Sequence, residues 1–369
     1  MRLNNLVQIT LNADQEKYNI DGDASITFID ATSYYVGRIA ARHHGWITLE
    51  SVDQDGNHGG VVFIKEDQVA KIEDSTPTLH YYSLAAPHDP FHMKQLNAQV
   101  LNWDFTNIRD LLLNAADSQP FITLETKTGV NYTGLIMQLD KDEVRILEKN
   151  DQTLEQYATV IPLADIVCID INSIDNRLFT HYLKQHKNYD NDLGLSEIYF
   201  DYTFDDQFGS FAIGKVLKYD DENLILESLN DLGQVESIGL IARSHIAHVI
   251  ENSERLNYFN YLVDWQKKNG SFDPDHLEHS VNLQGEIKSI AEVIEEWPEG
   301  KVIKISDSIY HYPDRLGLIS SYNDNGFDLK IATEYATGDI SDHEYEDLIS
   351  IDLAGSEMIR MQKFLDSRN

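Results

Sequence analysis

Residues 211–228 read FAIGKVLKYDDENLILES, and their spacing decides the fold. From Gly214, apolar side chains fall two, ten and twelve residues later, at Val216, Leu224 and Leu226. Alternation of this kind, broken by the polar Asp221-Glu222-Asn223, predicts two strands with one buried face joined by a tight turn. A glycine inside a strand has no side chain to pack and marks a bend or bulge where a sheet curls.

The same pattern stands in 34–51 (YYVGRIAARHHGWITLES), 131–148 (NYTGLIMQLDKDEVRILE) and 314–331 (DRLGLISSYNDNGFDLKI), with origins at Gly37, Gly134 and Gly317. Two residues on stand Ile39, Ile136 and Ile319; ten on, Ile47, Val144 and Phe327; twelve on, Leu49, Ile146 and Leu329. Each segment closes on a further apolar pair, Val69/Ile72, Ile166/Ile169, Ile246/Val249 and Leu348/Ile351. Coincidence at one spacing over so many positions defines a fourfold internal repeat. An apolar segment precedes each glycine, at Ile26–Phe28, 121–124, 198–202 and 302–305, so each repeat offers about five short strands. Apolar pairs beyond the last strand, Tyr82/Ala85, Phe179/Tyr182, Phe259/Leu262 and Met361/Phe364, are spaced for one face of a following helix. Thr106 is placed to cap a linker helix over Ile108–Leu113, and Ile287, Ile290, Ala291, Ile294 and Trp297 form a second linker stripe. The expected fold is mainly β with short helices (α+β), a tandem array of four small bent five-stranded barrels, each followed by a short helix. The expected divisions are 1–86, 87–187 (linker helices and second repeat), 188–268, and 269–369 (linker, helix and fourth repeat).

This pattern resembles the Sm/LSm-like barrel, a superfamily that includes a bacterial RNA chaperone. The family's first motif is apolar-Gly-x-apolar followed by an Asp six residues after the glycine; that position here holds His43, Asp140, Asp220 and Asn323. The stretch Ile161-Pro-Leu-Ala-Asp-Ile166-Val-Cys-Ile169 is similar to the family's closing strands. Other SH3-like small barrels share the glycine and strand rhythm. The resemblance implies pairing of barrel edge strands, which linked barrels could mimic within one chain. It does not bring the nucleotide site. Eukaryotic-type Sm proteins hold uridine with an Asn ten residues after the glycine, where this chain has Ile47, Val144, Leu224 and Phe327. The Arg-Gly pair of the second motif and the Tyr-Lys-His segment of the bacterial branch are missing too. A fold can be inherited without its site.

Composition narrows the function further. The 369 residues include 62 Asp and Glu against 29 Lys and Arg, a net charge of −33. Such a chain repels phosphate backbones and anionic membranes unless its cations are locally concentrated, and no basic block stands out. Mean hydropathy is −0.38, and no apolar run approaches the ~20 residues that span a bilayer. The first residues lack the pattern of a secretory signal, and a single cysteine excludes an internal disulfide framework or Cys-rich zinc module. The expected compartment is the cytoplasm.

Each motif that suggests chemistry has a plainer reading beside it. Gly209 to Val216 nearly fits a phosphate-cradling loop, but Val216 replaces the Ser/Thr that holds magnesium, and the segment is expected in a strand. His245 and His248 are three apart in what reads as a strand, so they face opposite ways. His43-His44 reads as an exposed turn, and the Asp-Pro between His88 and His92 breaks helical register. Asp273-Pro-Asp275-His276-Leu-Glu278-His279 gathers possible metal ligands, although a solvated loop explains it as well. Cys168 among Ile166, Val167 and Ile169 reads as a small buried hydrophobe with no neighbour to activate it. No catalytic, cofactor or metal residue is therefore assigned, and no cofactor is expected. The expected function is a non-enzymatic binding or scaffold protein of the bacterial cytoplasm acting on protein partners, with self-association through barrel edges possible. The alternatives are an RNA- or DNA-binding regulator with a locally positive face, and an acidic surface that itself serves as ligand for a basic partner.

Overall fold

A computed structural model describes residues 6–11, 34–52, 58–84, 93–118, 121–149, 156–185, 193–204, 208–308, 314–333 and 337–368. The chain divides into two compact units, Met1–Gln185 and His186–Asn369.

In the first unit, β1 (Val7–Leu11), β2 (Tyr34–His43), β3 (Trp46–Val52), β4 (His58–Lys65) and β5 (Val69–Glu73) precede helix α1 (Pro77–Ser83). Linker helices α2 (Met93–Val100) and α3 (Ile108–Ser118) follow. Next come β6 (Ile122–Thr126), β7 (Asn131–Leu139), β8 (Glu143–Lys149), β9 (Gln156–Pro162), β10 (Ile166–Ile171) and α4 (Ile174–Gln185). The second unit repeats the plan with β11 (Leu195–Phe204), β12 (Phe208–Tyr219), β13 (Asn223–Leu229), β14 (Val235–Ala242), β15 (Ile246–Ile250) and α5 (Glu254–Lys268). It ends with α6 (Ile290–Glu295), β16 (Val302–Asp307), β17 (Asp314–Tyr322), β18 (Gly326–Ala332), β19 (Thr337–Glu344), β20 (Leu348–Gly355) and α7 (Ser356–Arg368). A single 3-10 turn joins the fourth strand of every five-strand run to the fifth.

Each unit holds one ten-stranded antiparallel sheet, in the order β5-β1-β2-β3-β4-β10-β6-β7-β8-β9 or β15-β11-β12-β13-β14-β20-β16-β17-β18-β19. The sheets are open, where four closed or nearly closed barrels were expected. The physical reason is a change of partner. The fourth strand of a run does not return to its own fifth strand; β4 pairs with β10, and β14 with β20, joining two runs along a seam.

Gly37, Gly134, Gly214 and Gly317 occupy corresponding places, each on the second strand of its run between the first and third. A Cβ at any of them would fall closer than 3.0 Å to the carbonyl oxygen of Glu50, Leu147, Glu227 or Lys330 on the third strand. A bulge follows each glycine, between Ile39 and Ala41, Ile136 and Gln138, Val216 and Lys218, and Ile319 and Ser321. Missing side chain and bulge together let the strand bend sharply over its neighbour.

Two sequence readings need correction. The first strand of the chain is Val7–Leu11, which pairs with β2 and β5; Ile26–Phe28 lies outside the described residues, as do Ala85, His88 and His92. The α3 cap is Asn107, whose Oδ1 accepts the Asp110 amide at 3.1 Å, while Thr106 donates to the Asp110 carboxylate at 2.6 Å.

The core crosses the seam of the first unit. Val167 and Cys168 of β10 pack with Ile9, Ile47, Leu49, Val62 and Ile64. Ile166, Ile169 and Ile171 pack with Leu124, Val144 and Ile146, and also with Trp46, Val61 and Phe63 of the preceding run. One strand thus serves two cores, one on each face.

Candidate functional site

A polar clasp ties the first strand of every run to the helix after its fifth strand, with different chemistry each time. Thr76 Oγ1, at the α1 N-cap, donates to Gln8 Oε1 at 2.9 Å. Asn176 Nδ2 donates to Thr123 Oγ1 at 3.2 Å. Ser253, the α5 N-cap, donates to Glu197 Oε1, and the Arg255 guanidinium lies 3.6 Å from the same carboxylate. Lys304 Nζ meets Glu357 Oε2 at 3.0 Å. Pairings show that Gln8, Thr123, Glu197 and Lys304 are equivalent, each directly after the residue opposite its run's glycine and directly before the buried Ile9, Leu124, Ile198 or Ile305.

Each seam carries a half-buried carboxyl residue at one equivalent position. Asp170 follows Ile169 on β10 and stands opposite Val62; Asp352 follows Ile351 on β20 and stands opposite Gly239. Asp170 Oδ1 is closed to solvent and has no hydrogen-bond partner. Burial, and then the nearby Asp175, push its pKa up to about 7. Burial also pushes Asp352 up to about 7, against the pull of Lys304 and a hydrogen bond from Ser237. Burial alone would lower the Lys304 ammonium, but Glu357, Asp352, Asp314 and Glu236 around it drive it up. The first seam has another polar group: Tyr35 donates to Glu125 Oε2 at 2.5 Å beside the Cys168 thiol. Burial raises that thiol well above its ordinary range, which makes it a poor nucleophile.

The fourth run holds a hydroxyl–imidazole–carboxylate chain. Ser341 Oγ lies 2.7 Å from His343 Nε2, and His343 Nδ1 lies 2.8 Å from Asp307 Oδ2. The atoms are those of a proton relay to a serine nucleophile, but both the His343 and Asp307 side chains have 0 % exposure. By strand pairing His343 takes the core place of Ile64, Ile161 and Ile241, and Asp307 that of Leu11, Thr126 and Phe200. Its ring packs on Phe327 at 5.5 Å between centroids. Chemically it is a polar plug in an apolar core.

The outer strands offer accessible backbone. Among the described residues β5 pairs only with β1, β9 only with β8, β15 only with β11 and β19 only with β18. Phe211, Tyr199 and His248 stack across β12, β11 and the β15 edge, at 5.5 and 4.4 Å between centroids, and the Arg255 guanidinium lies 4.5 Å over Phe211. The Tyr199 hydroxyl donates to Glu197 at 2.5 Å, which joins this ladder to the clasp.

The residues singled out in the sequence are scattered. The position six after each glycine sits where β2, β7, β12 or β17 turns into the next strand. Asp220 Oδ1 accepts the amides of Glu222 and Asn223 at 2.9 and 2.8 Å, which hold its carboxyl below the usual range; Asn323 Oδ1 accepts the Asn325 amide at 3.0 Å. Asp140 accepts from Gln138 at 2.8 Å, and the His43 ring lies edge-on to Phe105 at 5.2 Å. Residues 209–216 lie within β12, a strand. His245 ends a 3-10 turn, correcting its placement in a strand, and approaches Asp201 at 3.4 Å. Asp273 accepts the amides of Leu277 and Glu278 at 2.8 and 3.0 Å, so its oxygens organise a turn. Among the described residues no group of three or more His, Cys, Asp or Glu could hold a metal ion, and no helix is long and apolar enough to cross a membrane. Sequence reading missed the clasp, the seam carboxyls and the Ser341–His343–Asp307 chain. Only a His standing where three repeats have Ile signalled the last.

Comparison with protein-family models and with curated proteins finds no match to this chain.

Proposed function

We propose that the chain is a non-enzymatic cytoplasmic scaffold whose four runs are Sm-like modules, and that it holds protein partners by strand addition at its open sheet edges. The observation that carries this reading is the seam. At β4–β10 and β14–β20 a fourth strand takes a fifth strand of the next run as its partner, and each unit ends on one strand of each kind, left open. Strand addition supplies affinity through main-chain hydrogen bonds and specificity through alternate side chains. The partner that fits is an extended, uncharged segment rich in β-branched residues. Nucleic acid fits poorly, because cations are locally neutralised: Arg38 by Glu50, Arg42 by Glu66, Lys71 by Glu73, Arg255 by Glu197 and Lys304 by Glu357.

The test is partner capture by the parent and by Val160→Lys and Val249→Lys, followed by amide exchange on the captured complexes. The expected result is loss of capture in a variant of unchanged circular dichroism and melting, with slowed exchange at β9 or β15 amides in the parent complex. Equal capture by all three proteins, protection confined to helices, or retention of RNA by the parent at low salt would overturn the reading.

A further inference from the structure

The four open edges are not alike. β9 (Gln156–Pro162) and β15 (Ile246–Ile250) contain no Asp, Glu, Lys or Arg, whereas β5 bears Lys71 and Glu73 and β19 bears Asp339, Asp342 and Glu344. Charged residues on an edge discourage further pairing, and their absence leaves a strand open to it. β9 is the fourth strand of its run and β15 the fifth of its own. They are therefore the two kinds of strand that join at a seam.

Register sharpens the match. At the seams Phe63 stands opposite Ile169, and Leu240 opposite Ile351; all four are at most 1 % exposed. The equivalent residues on the open edges are Val160, 26 residues after Gly134 as Phe63 is after Gly37, and Val249, 35 after Gly214 as Ile169 is after Gly134. Val160 is 43 % and Val249 46 % exposed. Each is a core residue lacking the neighbour that covers its counterpart. The same register sets Ile161 opposite His248, the open end of the Phe211–Tyr199–His248 stack.

The length of the connections selects the occupant. Runs joined at a seam are linked by 84–121 or 269–301, and these linkers lay α2 on β4 and α6 on β14 and β20. The connection from α4 to β11 is only 186–194. Resting on the edge-addition reading above, we infer that β9 of one molecule pairs antiparallel with β15 of a second copy of this chain, with Val160 opposite Val249.

Directly opposed residues of an antiparallel pair lie about 4.5–5.5 Å apart, within disulfide reach. The full-length Val160→Cys/Val249→Cys variant, oxidised, is expected to run as a disulfide-linked dimer on a non-reducing gel, and neither single variant is. Light scattering after gel filtration is expected to give the parent a mass above that of one chain, Val249→Lys the mass of one chain, and a mixture of Val249→Lys with Val160→Glu a mass above it again. A disulfide found only within one chain, no disulfide, or a mass unaltered in Val249→Lys would overturn the inference. If mass is unaltered while Val249→Lys still loses its captured partners, self-pairing falls and edge addition stands; if neither changes, both fall.

Discussion

His343 and Asp307 occupy places that other runs fill mainly with aliphatic or aromatic side chains, so substitution can measure what the pair contributes. His343→Ile alone leaves the Asp307 carboxylate buried without its imidazole, and a loss of about 3–5 kcal/mol is expected in urea unfolding. His343→Ile with Asp307→Leu should recover most of that loss, because an apolar pair suits an apolar core. Asp170 yields a pH prediction. Its pKa lies near 7 in the folded chain and about 4 in the unfolded one, so the folded state holds a proton that the unfolded state has released between those values. Stability is therefore full below about pH 4 and falls as pH rises toward 7, by up to about 4 kcal/mol from this group. Asp170→Asn should flatten that slope and raise the melting temperature most at pH 8. None of these residues stands out in the sequence, since burial is set by strands far apart in the chain: His343 meets Asp307 across 36 residues. A lone Asp between Ile169 and Ile171 reads simply as the outward side of an alternating strand.

Elements were more legible where spacing was fixed. The interval from each glycine to the third and fifth strands is nearly constant, because hairpin turns and one 3-10 turn set it, and those strands could be placed by counting. The first strand could not. Ile122 precedes Gly134 by 12 residues, but its counterpart Val7 precedes Gly37 by 30, and an apolar segment nearer the glycine drew the assignment. Barrel closure was misjudged for a different reason. A strand's alternation shows which face is buried but not which strand covers its edge. Two predictions belong at this level. Gly214→Ala would drive a Cβ into the Glu227 carbonyl and part β12 from β13; a loss of at least about 2 kcal/mol is expected in chemical denaturation, as for other overpacked sites. Ser253→Ala removes both the α5 cap, whose Oγ accepts the Leu256 amide at 3.0 Å, and the hydroxyl that meets Glu197. It should cost about 1–2 kcal/mol, with faster amide exchange in the first turn of α5.

For the molecule as a whole, a net charge of −33 means that compactness is opposed by self-repulsion. Raising sodium chloride from ~20 mM to ~500 mM shortens the screening length several-fold, and melting temperature should climb by a few degrees rather than fall. That composition was plain in the sequence; what it surrounds was not. The charges along β5 and β19 carry a further consequence. A two-fold dimer uses β9 and β15 of both molecules and leaves β5 and β19 as its open edges; head-to-tail joining of those unlike edges has no intrinsic terminus and tends toward filaments, so the dimer needs something to stop it there. Asp339, Asp342 and Glu344 on one rim and the Lys71–Glu73 pair on the other supply that stop. Neutralising β19 with Asp339→Thr and Asp342→Val should turn a finite particle into a growing polymer, visible as turbidity at concentrations where the parent stays clear.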